Sequence, residues 1–283
     1  MAMADRLWTT GPARRLPRAP ISFSIDTDDR AVSSSNPLAE EWSVGVDDVE
    51  FALSDALEGR IACRRGQLTA RVAASLVDAN PSLVARMLLE TPAAVLLARR
   101  AYAVVHAGAV TGPGGAVVIR GAPGAGKSTL VAAAHRAGLG VMGDETVLVA
   151  REYPDELVAA VRDVTLLPDA AQLLALKETL QPAGNTREEK LRLDLFAASQ
   201  PDQRWARRVA TVVIGSRNGG PARLEALEPA SFLEEFERGQ IAQEHWSGTP
   251  DSIAKYWAAR GAYRLAGAAD LDGAVALLAE MVA

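Results

Sequence analysis

Gly121-Ala122-Pro123-Gly124-Ala125-Gly126-Lys127-Ser128 decides how the rest of the chain is read. Three glycines at these spacings followed by Lys-Ser form a Walker A loop. In such a loop successive backbone N–H groups turn inward around phosphate oxygens, the lysine reaches the β- and γ-phosphates, and the hydroxyl ligates Mg²⁺. The flanks agree: Ala116, Val117, Val118 and Ile119 make an apolar strand before it, and the residues from Thr129 to Arg136 favour a helix after it. That helix aims its positive end at the anion. The expectation is therefore binding of ATP with Mg²⁺ through Gly121, Ala122, Pro123, Gly124, Ala125, Gly126, Lys127, Ser128 and Thr129. Ser128 is the metal ligand, with Thr129 as second choice.

Asp144 lies 17 residues after Lys127, beyond the first helix and at the end of the next apolar segment. A carboxylate on the strand right after that helix suits a compact kinase, where it can face the γ-phosphate and take a proton from an incoming hydroxyl. Neighbours on a strand point opposite ways, so one member of the Asp144-Glu145 pair faces the chemistry. Asp144 is read as the base and Glu145 as metal-side or structural support; a solvated acidic turn is the alternative. His106 sits 15 residues before Gly121 at the end of an apolar strand. Alone it reads as a structural histidine. Lys190 and Arg192 alternate with Leu191 and Leu193, and either contact phosphate or substrate or form the wet face of a strand.

Taken together, His106-Ala107-Gly108-Ala109-Val110, the 121–129 loop and Gly143-Asp144-Glu145 resemble the nucleotide domain of HPr kinase/phosphorylase and its kinase relatives, lasso-peptide tail kinases among them. A histidine, a phosphate loop and an acid pair recur in this order, with no gap needed from His106 through Glu145. The resemblance is clear over residues 104–149 and weaker from there to the C-terminus, where 189–194 and 222–229 are similar to the kinase relatives. It implies an α/β fold, a P-loop kinase domain of the HPr kinase C-terminal type. It further implies His106 in the active site, Lys127 on the phosphates, Ser128 on Mg²⁺ and Asp144 as proton acceptor. The activity it implies is transfer of the γ-phosphoryl group of ATP to a hydroxyl, foremost Ser or Thr of a peptide or protein, including a ribosomally made peptide precursor.

The departures narrow that implication. Glu145 stands where the family has Asp, and the nearest counterpart of the family's metal-binding Glu-x-Arg-Gly segment is a shifted Arg162-Asp163. The basic loop and terminal helix that dock the phosphocarrier HPr are not recognisable, so neither HPr as substrate nor phosphorylase activity is expected. Family members assemble into hexamers, which leaves a homo-oligomer open without any residue here establishing it. Two rival functions remain, a small-molecule kinase of the same fold and a non-kinase P-loop NTPase that switches a partner. The sequence lacks the Leu-Ser-Gly-Gly-Gln signature of transport ATPases and the Asn-Lys-x-Asp guanine specifier. A degenerate nucleotide-sensing scaffold is disfavoured by the intact Lys127, Ser128 and Asp144.

The 283 residues are 49% hydrophobic, enough for one large α/β domain or two smaller ones. A net charge of −5 argues against nucleic acid, whose phosphates demand clustered basic residues. Cys63 is the single cysteine, which excludes an intrachain disulfide and fits a cytoplasmic setting; it reads as a small buried hydrophobe. No apolar stretch approaches the roughly 20 residues that span a bilayer, so no membrane association is expected. Residues 1–20 carry Arg6, Arg14, Arg15 and Arg18 without a signal-peptide core and read as a disordered arm. Residues 21–100 read as a small α+β lobe with strands near 21–25, 42–46, 49–53 and 68–72, then a helix capped by Asn80-Pro81.

Residues 101–283 read as the nucleotide-binding kinase domain. Its expected elements are a hairpin of 103–105 with 116–119, strands at 140–142, 146–149 and 208–214, and helices at 170–179, 229–238, 252–260 and 270–282. The polar stretch 184–189 reads as a connector or a substrate loop. Arg204, Arg207 and Arg208 beside Trp205 read as solvated flanking charges, and Trp246 and Trp257 as packing residues.

Overall fold

Period-two alternation builds the first sheet. The computed structural model describes residues 22–29, 40–99, 101–159, 163–176, 180–182, 190–194, 205–215, 220–241, 244 and 250–283. The expected arm at 1–20, Arg162, the 184–189 stretch, Arg204 and Trp246 lie outside the described residues. Strands β1 (Ser22–Asp28), β2 (Glu40–Val44), β3 (Asp48–Leu53), β4 (Leu57–Ala62) and β5 (Gln67–Ala73) join in the order β1-β5-β4-β3-β2. One face carries Val49, Phe51, Leu53, Leu57, Ile61, Leu68 and Val72, all buried; Glu50, Glu58, Thr69 and Arg71 alternate with them on the exposed face. β4 escapes the sequence pattern because Gly59 breaks its apolar face. The glycine is there for space: a Cβ on Gly59 would lie 2.3 Å from the Phe51 ring.

Helices α1 (Ala74–Ala79), α2 (Pro81–Ala85) and α3 (Thr91–Ala98) cover that face, with a π-helical turn, Arg86–Glu90, between α2 and α3. Asn80 caps α2 as its sequence predicts, its Oδ1 accepting from the Leu83 amide at 3.2 Å. Leu83, Met87, Leu88, Val95 and Leu96 complete this core.

A nine-stranded sheet forms the larger part. It uses β6 (Tyr102–Val105), β7 (Gly108–Gly112), β8 (Gly115–Arg120), β9 (Gly140–Gly143), β10 (Val147–Ala150), β11 (Glu156–Ala159) and β15 (Trp205–Ile214), in the order β6-β10-β11-β15-β8-β7-β9. β17 (Ala262–Ala266) adds to β15, and β16 (Arg223–Ala226) to β17. β8, β15 and β17 run parallel, and both faces of this region are covered, which accounts for the unbroken burial of Ala210 to Ile214 in β15. Helices α4 (Lys127–Arg136) and α8 (Leu271–Met281) pack with Val117, Ile119 and Val212 on one side. On the other, α6 (Pro229–Arg238) and α7 (Pro250–Ala258) pack with Ala116, Val118 and Val213. Phe232, Phe236 and Trp257 fill that second layer at ring separations of 5.7 and 6.2 Å, so Trp257 is the packing residue expected of it.

Two expectations need correcting. The hairpin that enters the glycine-rich turn pairs β8 with β7, not with residues 103–105, because β6 leaves to pair with β10. The helix expected over 170–179 is α5 (Pro168–Leu173); it starts earlier because Pro168 is preorganised for a first helical turn, and it gives way to a turn at Leu174 and Ala175. A third sheet, β12 (Asp163–Leu166), β14 (Leu191–Asp194) and β13 (Leu180–Pro182), orders β12-β14-β13 beside α4. Among the described residues no helix is long and apolar enough to cross a membrane.

Candidate functional site

The 121–128 loop leaves β8 and turns into α4, with Gly124 at φ +77° and Gly126 at φ +99°. A side chain on Gly124 would meet nothing within 4 Å, so the left-handed backbone rather than space calls for glycine there. Ala122, Pro123 and Gly124 form the exposed rim, while Lys127 is buried beneath them. Lys127 Nζ donates to the Gly121 carbonyl at 2.8 Å. Burial, with Arg120 nearby, holds its pKa below the usual lysine range, against the pull of Asp144 and Glu145.

Asp144 follows β9 and comes to rest under the loop. The Ser128 hydroxyl is near enough to favour the charged form of its carboxyl, and its Oδ2 accepts from the Thr165 amide at 3.1 Å and lies 3.4 Å from the Thr165 hydroxyl, whose closer partner is Glu145 Oε1 at 3.0 Å. Only 2% of the residue is exposed. Burial and the neighbouring Glu145 charge push its pKa up to about 7, against the pull of Ser128 and the Thr165 amide. Glu145 keeps 52% of its side chain exposed and lies 4.0 Å from Lys190 Nζ.

His106 joins this group. Its Nδ1 contacts the Glu145 carbonyl at 2.8 Å, which makes Nδ1 the protonated nitrogen of a neutral ring. Burial, then the Lys127 charge, lowers its pKa and so favours the neutral ring. Its backbone is clamped on both sides: the N–H donates to Glu244 Oε1 at 2.8 Å, and the carbonyl accepts from Arg120 at 3.0 Å. Arg120 and Glu244 form a fully buried ion pair at 2.7 Å, with the guanidinium 3.7 Å from the Phe236 ring centre. Two residues on, Gly108 permits β7 to meet α4, since a Cβ there would lie 2.6 Å from Val131 Cγ2 and 3.5 Å from the Asp144 Cα.

The third sheet shows where Lys190 and Arg192 lie. Val164, Leu166, Leu191 and Leu193 pack into the core on one face. The opposite face carries Thr165, paired in register with Arg192, and Asp163. Arg192 Nε lies 4.0 Å from Asp163 Oδ2, with side chains 20% and 22% exposed, so this is no wet face. Glu90, on the π-helical turn, acts electrostatically on Arg192, Glu145 and Asp163. Burial first, then Glu90 and Asp144, raises the Asp163 pKa well above the carboxylate range.

No protein-family model matches this chain, and no curated protein matches it in a sequence search. Its chemistry is thus read from the arrangement itself. His106, Lys127, Ser128, Asp144 and Glu145 come together as the sequence predicts, joined by Lys190. Thr165, Asp163, Glu90 and the Arg120–Glu244 pair belong to the same assembly; of these only Asp163 figures in the sequence reading, through the shifted Arg162-Asp163 match. Asp163-Val164-Thr165-Leu166 does show strand alternation, yet nothing local says what its polar face meets. Arg208 and Trp205 are part of β15; Arg208 is buried and pairs with Asp155 at 2.9 Å, correcting its reading as a solvated charge.

The oxygen donors suit Mg²⁺, a hard cation taken up by hydroxyl, carboxylate and phosphate oxygens. Among the described residues no three His, Cys, Asp or Glu side chains gather as a metal cage. Magnesium needs none, being held by one or two carboxylates together with nucleotide phosphates and water.

Proposed function

We propose that the protein is an ATP-dependent kinase that transfers the γ-phosphoryl group to a hydroxyl, foremost Ser or Thr of a peptide or protein. The observation that carries this reading is the gathering of Asp144, Glu145 and His106 beside the glycine-rich turn ending in Lys127. The resemblance to HPr kinase and its relatives over residues 104–149 supports it, as does the neutral, clamped His106 at the same place. On this reading residues 101–283 form the nucleotide-binding P-loop kinase domain, residues 21–100 a smaller lobe, and HPr is not the acceptor.

Phosphoryl transfer asks little covalent work of a protein. Loop amides and Lys127 hold the triphosphate, and Lys127 must leave the Gly121 carbonyl to reach it. Ser128 and the acid beside it would hold Mg²⁺, which supplies charge neutralisation at the β- and γ-phosphates. The Asp144–Glu145 pair receives the acceptor's proton and orients its oxygen. His106, fixed through three contacts, shapes the wall beside Glu145.

The test combines calorimetry with acceptor labelling. Lys127→Ala should weaken Mg-ATP binding by about tenfold or more, as expected for a lost charge-assisted phosphate contact. Radiolabelled ATP offered with Ser/Thr peptides, free serine and sugars should mark an acceptor in the native protein only. Unchanged nucleotide affinity in the variant, or free phosphate with every acceptor unlabelled, would refute the kinase and favour a nucleotide-operated switch.

A further inference from the structure

We propose that the outer face of the N-terminal sheet docks an arginine- or lysine-bearing segment of a peptide acceptor, with one basic side chain seated over Ala52. The docking stands on its own; its part in choosing an acceptor rests on the kinase reading above. A hollow of about 700 Å³ lies on this face and reaches across all five strands. That volume is within the range of ligand-binding clefts. Helices α1 to α3 cover the opposite face.

Register fixes what the hollow offers. Ala52 on β3 stands directly between Glu58 on β4 and Glu41 on β2, and Glu50 lies two residues along β3 on the same face. Side chains directly opposite on paired strands are about 5 Å apart at Cβ, so three exposed carboxylates ring a floor made of one methyl group. Two arginines line the hollow as well. Arg60 donates to Asp48 at 2.5 Å, and Arg71 lies in register between Asp26 and Glu58. Counting Asp48, five carboxylates meet two guanidinium groups here, so the face keeps an excess of negative charge. A cation over Ala52 relieves the crowding of like charges.

Size argues for a chain rather than a lone ion. Five strands at the usual spacing span about 19 Å, the reach of roughly six extended residues. The sheet is also tied to the phosphate site. Glu40, at the start of β2, pairs with Arg86 on the π-helical turn, whose Glu90 acts electrostatically on Asp163 and Glu145. A peptide anchored on this face is thereby held to the lobe that borders the acid pair.

Docking is tested on the full-length protein without nucleotide, by fluorescence anisotropy of a fluorescein-labelled peptide of alternating arginine and serine and of its glutamate–serine counterpart. The arginine peptide should bind, more weakly as salt rises, and the glutamate peptide should not. Glu41→Gln, Glu50→Gln and Glu58→Gln combined should weaken binding by about tenfold or more. Ala52→Arg, which seats a guanidinium from the chain itself, should do the same. Glu234→Gln with Glu237→Gln, two exposed carboxylates on α6, should leave binding as it is. Failure of the native protein to bind the arginine peptide, equal loss in the α6 pair, or unchanged binding in the hollow variants overturns the site. Binding that appears only after Arg14, Arg15 and Arg18 are changed to Gln also overturns it, giving the hollow to the chain's own 1–20 segment. Label transfer from radiolabelled ATP is followed separately, and the triple variant should raise KM for the arginine peptide about tenfold. Docking with no hydroxyl labelled would sink the kinase and leave the site. Labelling of both peptides alike, without docking, would sink the site and leave the kinase.

Discussion

Asp144 illustrates how a functional residue costs stability. Its carboxyl is pushed from 3.8 up to about 7 by burial and by Glu145, so between these values the folded chain binds a proton that the unfolded chain has released. The sign follows: stability falls as pH rises from about 4 to about 7, and the penalty is fully present above the folded value. A rise of that extent sets an upper bound of roughly 4 kcal/mol on the penalty. Urea titrations of the nucleotide-free protein should show this loss, and Asp144→Asn should lessen the slope, leaving the part due to Asp163 and Glu90, whose carboxyls are also raised, and exceed the native stability at pH 8. A native-like slope in the variant would mean another group is responsible. Asp144 itself is legible in the sequence from its distance to Lys127. Its partner Thr165 is not, because 21 residues of chain separate them and only sheet packing brings them together.

At the scale of elements, the site depends on how closely β7 approaches α4. Gly108 fixes that distance, with Val131 Cγ2 standing 2.6 Å from where a Cβ would be. Gly108→Ala should destabilise the fold by about 1–3 kcal/mol through overpacking. In a Val131→Ala background the same substitution should cost less, a coupling that a double-mutant cycle by urea unfolding would detect; strict additivity would show the contact to be slack. The β8 strand, the glycine turn and α4 are legible because each has local grammar: an apolar run, positive-φ glycines and helix formers. The β7–β8 hairpin is only half legible. Gly112 to Gly115 announces a turn, but which upstream strand returns along β8 depends on β10 claiming β6.

Across the molecule, the Arg120–Glu244 pair ties the end of β8 to the segment that follows α6. Both side chains are fully buried, and between them they hold the His106 backbone and the Phe236 carbonyl. Glu244→Ala should cost about 3–5 kcal/mol, since it leaves a buried guanidinium unpaired. Arg120→Met combined with Glu244→Leu should recover much of that loss while the His106 clamp stays broken. Denaturant unfolding separates the two cases; a double variant no better than the single would place the cost elsewhere than in the unpaired charge.

By itself the sequence determined a mixed α/β chain, the phosphate-type loop between β8 and α4, the strands that alternate cleanly, and the membership of His106, Lys127, Ser128, Asp144 and Glu145 in one site. These features are local: a turn's dihedral demands, a strand's period and a short spacing are all written within a few tens of residues. Only the tertiary structure decided that Thr165 meets Asp144 through its amide and Glu145 through its hydroxyl, that Lys190 and Arg192 sit beside Glu145 and Asp163, that Glu90 adds its charge from a π-helical turn, and that Arg120 finds its counter-charge 124 residues away. Burial makes those partnerships strong, and burial is a property of packed layers that no stretch of chain possesses alone.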